Sequence, residues 1–186
     1  ELLRCLTTLA PTVQRLAEGF SPKGDFLEVV FGRNRRGEDN WPPLIFDLGT
    51  FQVQVEGKID RLNTDSAGGA LIVEYKYKKA ENESAADFFD QILTGQQPQL
   101  PLYWLAARDL LRLKPVALMQ IYLRSGVTRI VKLPQAPVFP GEGEKNSEVL
   151  VVSEVEIGQM LDKALGKLRE KASRLRAGIL TALPTD

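Results

Sequence analysis

Apolar and polar residues alternate with a period of two through the middle of the chain. From position 51, Phe51, Val53, Val55 and Ile59 fall on one face of an extended segment, and Gln52, Gln54, Glu56, Lys58 and Asp60 on the other. Turn-forming residues follow, among them Asn63, Asp65, Ser66, Gly68 and Gly69. The alternation then resumes, with Leu71, Val73, Tyr75 and Tyr77 opposite Ile72, Glu74, Lys76 and Lys78. Two such runs joined by a short loop predict an antiparallel hairpin.

Around this hairpin the period changes. Leu2, Leu3, Leu6, Leu9, Val13 and Leu16 recur at helical spacing and predict a helix over 2–18, interrupted at Pro11 and stopped at Gly19. Residues 26–31 read as a short strand, 33–40 as a polar loop and 44–46 as another short strand. A helix over 81–93 ends at Gly95, and a second runs over 98–113. Pro98 and Pro101 suit the first turn of that second helix, where backbone N–H groups have no internal partner. Residues 116–124 and 127–133 predict a second hairpin around Ser125 and Gly126, and 134–147 a long surface loop. Ser153 with Glu156 is a capping-box signature; it opens a long amphipathic helix reaching about 177, with Gly178 as its stop. Strands and helices mixed in this order predict an α/β fold, with a central mixed sheet flanked by helices and a long C-terminal helix.

Composition narrows the chemistry. The 186 residues suffice for one domain, 1–186, with a substantial core. The chain opens at Glu1 without an initiator Met, so it reads as a fragment of a longer protein. No apolar run is long enough to cross a bilayer and no secretory signal is visible, so no membrane partner is expected. The 24 basic and 24 acidic residues cancel, so affinity for a polyanion must come from a local patch, which argues against a histone-like coating protein. With no histidine and one cysteine, a structural zinc site, a disulfide framework and Ser-His-Asp or Cys-His hydrolysis are excluded within this sequence. Catalysis here must use carboxylates, lysine, tyrosine and metal ions. Cys5, set in an apolar helical pattern, reads as a buried thiol, and a reducing cytoplasmic setting fits it.

Asp60, Glu74 and Lys76 stand on the polar faces of the first hairpin, and Glu74 and Lys76 leave their strand on the same side. Register that brings the faces together makes two carboxylates and an ammonium converge. Two close carboxylates repel unless a proton or a cation intervenes. Mg²⁺ suits such a pair because it prefers oxygen ligands and keeps several waters, and Mn²⁺ is the natural substitute. The same residues also read as ordinary cross-strand ion pairs on a solvated sheet face.

Three ordered motifs favour the first reading. Residues 55–62 (VEGKIDRL), 71–76 (LIVEYK) and 99–103 (QLPLY) resemble those of the PD-(D/E)XK nuclease superfamily. Within it they are most similar to the RecB-like branch, the nuclease domains of bacterial helicase–nucleases. The resemblance implies a restriction-endonuclease-like fold and a Mg²⁺-dependent deoxyribonuclease, an exonuclease of recombination or repair. It implies DNA and a helicase domain or subunit as partners. Asp60 and Glu74 would be the metal-binding carboxylates, Lys76 the catalytic lysine, and Gln99 and Tyr103 supporting residues one helical turn apart. Lys78, Lys79, Arg33, Arg35 and Arg36 would contact DNA phosphates, or else form a solvated charged loop. The alternative is a nuclease-like module that binds DNA or acts as a scaffold without cutting.

This chain departs from the branch in three ways. Glu74 stands where Asp is usual. The upstream metal-contacting His or Glu has no histidine counterpart, with Glu18 and Glu28 as substitutes that suit surface or strand-edge roles better. Some relatives hold an iron–sulfur cluster, which Cys5 alone cannot assemble within this fragment.

Overall fold

The computed structural model describes residues 25–32, 41–65, 67–78, 80, 84–139 and 142–178; the helix expected over 2–18 and the loop at 33–40 lie outside them. Eight strands are described: β1 (Asp25–Phe31), β2 (Leu44–Asp47), β3 (Gln52–Val55), β4 (Gly57–Thr64), β5 (Gly69–Lys76), β6 (Lys114–Tyr122), β7 (Val127–Lys132) and β8 (Ser147–Val151). The helices are α1 (Ala85–Thr94), α2 (Gln99–Leu105), which continues as a π-helical turn at Ala106–Leu110, and α3 (Glu154–Arg176).

Six strands form one mixed sheet in the order β1-β4-β5-β6-β7-β8, and β2 pairs with β3 in a separate two-stranded sheet. β4 and β5 are antiparallel, as the alternating runs predict; β5 and β6 are parallel, as are β7 and β8. The parallel β5–β6 step needs a crossover, which α1 and α2 supply. β5 shows what a central strand requires: it is buried from Gly69 to Glu74, with Ile72 in one hydrophobic cluster and Leu71 and Val73 in the other.

The described helices all feed the first cluster. α1 packs on β7 and β8, α2 on β5 and β6, and α3 lies across α1 and α2. Phe88, Phe89 and Ile92 of α1, Leu100, Tyr103 and Trp104 of α2, and Ile157, Met160 and Leu161 of α3 meet Ile72, Leu118 and Val131 of the sheet. The opposite face buries Met119, Ile121, Ile130 and Phe139, the last carried on the loop after β7. Lys132 Nζ, bonded to Glu142 Oε1 at 2.6 Å, ties that loop down. The capping box at Ser153 and Glu156 starts α3 as expected. No described helix is long and apolar enough to cross a membrane.

The alternating run over 51–60 is not one strand. It breaks at Glu56, where the chain leaves the small sheet and enters the large one. Gly57 makes the break possible, because a Cβ there would sit 2.6 Å from Phe31 Cζ. Gly57→Ala should therefore destabilise the fold by about 1–3 kcal/mol through overpacking, measurable as a lowered urea midpoint. The helix expected over 98–113 is true α-helix only through Leu105; the π-helical turn follows, and Arg112, with φ 57°, turns the chain into β6. α1 starts later than position 81, at a second capping box in which Asp87 plays the part usually taken by Glu or Gln. β8 has no clear signal in the sequence, being a half-exposed strand wedged between a loop and a helix cap.

Candidate active site

The β4–β5 ladder runs from Thr64↔Ala70 to Arg61↔Val73, and Asp60 follows immediately. There the side chain takes over from the backbone: Asp60 Oδ2 accepts the Tyr75 N–H at 3.0 Å. This bond fixes the first carboxylate against the strand carrying the second. Glu74 lies on the helix-covered face with only 6% of its surface exposed. Lys76, on the same side of β5, donates from Nζ to Glu74 Oε1 at 2.7 Å.

α2 closes the group from above. Gln99 is its first residue, and Gln99 Oε1 lies 3.4 Å from Lys76 Nζ. Tyr103, one turn on, is buried and meets the Phe31 ring edge-on, with centroids 6.4 Å apart. Burial pushes the Tyr103 phenol far above its ordinary range, and the negative charges of Glu74 and Asp60 push it further, so it stays neutral beside both acids. Burial also raises the Glu74 pKa; the Lys76 ammonium opposes this, and the Asp60 charge reinforces it. Asp60, Glu74, Lys76, Gln99 and Tyr103 are thus brought together.

Of the other expected residues, the described ones, Lys78 and Glu28, are not part of this group. Lys78 is exposed, with Nζ 5.8 Å from the centre of the Tyr122 ring. Arg33, Arg35, Arg36 and Lys79 lie outside the described residues, as do Glu18 and Cys5. Glu28 flanks Asp60 across the β1–β4 ladder, but its exposed carboxylate is bonded to Lys58 Nζ at 2.8 Å. Among the described residues no cluster of three or more acidic, cysteine or histidine side chains could hold a metal ion.

The acid pair nevertheless fits a hard divalent cation. Glu74 Oε2 is buried and has no hydrogen-bond partner among the described residues, while Asp60 stands beside it as a like charge. Such an oxygen is costly unless a proton or a cation satisfies it. Two carboxylates suffice for Mg²⁺, which retains waters in its remaining positions. With one ammonium nearby, the group carries a net single negative charge, so a divalent ion would turn it positive and attractive to phosphate.

Sequence reasoning missed one neighbour. Gln120 is fully buried in β6, directly in register with Glu74, and neither of its amide atoms has a partner among the described residues. A single polar residue in the apolar run VALMQIY at 116–122 was the available signal.

A mixed sheet with helices on it, a long C-terminal helix and acids at a strand-ladder end define a restriction-endonuclease-like fold. The chain belongs to the PD-(D/E)XK nuclease superfamily, which it matches over residues 13–186. Members of that superfamily are generally nucleases and typically use divalent metals. No curated protein matches the chain.

Proposed function

We propose that this chain is a Mg²⁺-dependent deoxyribonuclease, with Mn²⁺ as a working substitute, that degrades DNA as an exonuclease in recombination or repair. In this reading it is the single nuclease module of a longer, RecB-like helicase–nuclease. The observation that carries it is the buried, unpartnered Glu74 oxygen beside Asp60, with Lys76 2.7 Å from the same carboxylate.

Asp60 and Glu74 hold the ion, and the Tyr75 N–H keeps Asp60 aimed. The bound ion supplies a Lewis acid that makes water nucleophilic at neutral pH and offsets charge gathering on the phosphate. Lys76 orients the attacking water and stabilises the anionic transition state, a role suited to a donor placed before the charge develops. Gln99 steadies the ammonium from α2. Tyr103, neutral and buried, forms the wall of the site and helps to place DNA. Lys78, with Lys79, Arg33, Arg35 and Arg36, supplies phosphate contacts that hold DNA without reading its sequence.

The rival is a module that binds DNA and has lost cleavage. The observation in its favour is that no third acidic or histidine ligand joins the pair among the described residues. Incubation with end-labelled linear DNA and with closed circular DNA, with Mg²⁺ and then with a chelator, decides between them. The exonuclease reading predicts chelator-sensitive loss of linear DNA and survival of circles. DNA binding without cleavage under Mg²⁺ or Mn²⁺ would establish the scaffold.

A further inference from the structure

One row of polar side chains crosses the helix-covered face of the large sheet. The registers Glu74↔Gln120, Gln120↔Arg129 and Arg129↔Glu148 set these residues side by side on β5, β6, β7 and β8. The neighbouring row, Ile72, Leu118, Val131 and Leu150, is apolar and belongs to the core. The far end of the polar row is tied down. Arg129 Nη2 lies 3.6 Å from Glu148 Oε1, and Glu148 Oε2 accepts the Ala85 N–H at 3.0 Å.

The near end is different. Gln120 Nε2 and Oε1 and Glu74 Oε2 are all buried without a partner among the described residues. A fully buried carboxamide is a poor choice for packing alone, since leucine or methionine would fill the space with no polar atoms to satisfy. Its neighbours in the row present complementary groups, an acceptor on Glu74 and a guanidinium on Arg129. Adjacent strands lie about 4.8 Å apart, and with no direct bond between the two side chains, one buried water is enough to link them.

We propose that Gln120 is a positioning residue for Glu74: its carboxamide, backed by Arg129, donates through one buried water to the Glu74 carboxylate and fixes the orientation in which that carboxylate meets a divalent ion. A carboxylate oxygen has lone pairs for both a hydrogen-bond donor and a cation, so the two bonds are compatible. Partners of this kind, one bond removed from the ion, set both the geometry and the basicity of the ligand. The inference rests on the reading that Asp60 and Glu74 hold the ion.

Calorimetric titration of Mn²⁺ into the metal-free chain tests it, comparing wild type with Gln120→Met and Gln120→Leu. Both variants should bind Mn²⁺ roughly tenfold more weakly. Both metal-free variants should still melt cooperatively, so that weaker binding reports the lost amide donor and not a lost fold. A glutamine needed only for packing would leave Mn²⁺ affinity unchanged. Lower melting temperatures in both variants with wild-type Mn²⁺ affinity would overturn the proposal. If Asp60→Ala abolishes Mn²⁺ binding while both Gln120 variants bind as wild type does, this inference alone fails. If the wild type binds no Mn²⁺, the parent reading fails with it.

Discussion

Lys76→Ala should lower the rate of Mg²⁺-dependent DNA cleavage by roughly 10²–10³-fold, the loss typical when one fixed donor to a developing anion is removed. DNA affinity should be nearly unchanged, because the proposed phosphate contacts fall on other cations and Lys76 is only partly exposed beneath Gln99. Stability should fall by about 1–3 kcal/mol, since Glu74 Oε1 loses the ammonium that satisfies it. The decisive comparison is single-turnover cleavage against equilibrium DNA binding on the same preparation. Loss in the first with retention of the second places Lys76 in the chemical step. Undiminished cleavage would remove it from the mechanism.

Glu74→Gln should separate function from stability in the opposite sense. Cleavage should fall by a comparable factor, because a neutral amide is a weaker cation ligand and no longer balances Lys76. The metal-free fold should gain about 1 kcal/mol, since the change removes a buried charge that faces Asp60. For a chain of this length that corresponds to a rise of roughly 2–4 °C in melting temperature. The pH dependence follows from the raised Glu74 pKa. Because the native value lies above 4.5, ionised Glu74 costs stability, and that cost develops as pH rises from 4.5 through the native value. The advantage of Glu74→Gln should therefore grow as pH rises above 4.5 and vanish below it. Equal stability at acid and neutral pH, or destabilisation at neutral pH, would show that Glu74 is not strained in the metal-free protein.

The alternation of side chains made the β4–β5 pair readable, and with it the convergence of Asp60, Glu74 and Lys76, because antiparallel strands joined by a short turn leave few registers open. Gln99 and Tyr103 were readable as a pair for a similar reason, since residues one helical turn apart share a face. What alternation cannot carry is a change of sheet. The break at Glu56 depends on Gly57 passing under the Phe31 ring, a contact between residues far apart in sequence. The end of α2 is hidden for a related reason. Residues 106–110 keep a helical pattern of apolar positions while their hydrogen bonds lengthen to the π form. Gln120 has no signature of its own because burial and register, not residue type, single it out; a glutamine in a strand reads as solvent-facing until its neighbours on both sides are known. The side chain of Glu28 illustrates the converse. It is acidic and adjacent to Asp60 in the ladder, yet it is turned to Lys58 at the surface.

Calorimetric titration of Mn²⁺ into wild type and into Asp60→Ala goes most directly to whether these acids form a cation site. The expected result is one saturable binding event in the wild type that disappears in Asp60→Ala while the variant remains folded. Equal Mn²⁺ affinity in the two proteins would mean that the ion, wherever it binds, is not held between Asp60 and Glu74, and the assignment of the site would be wrong.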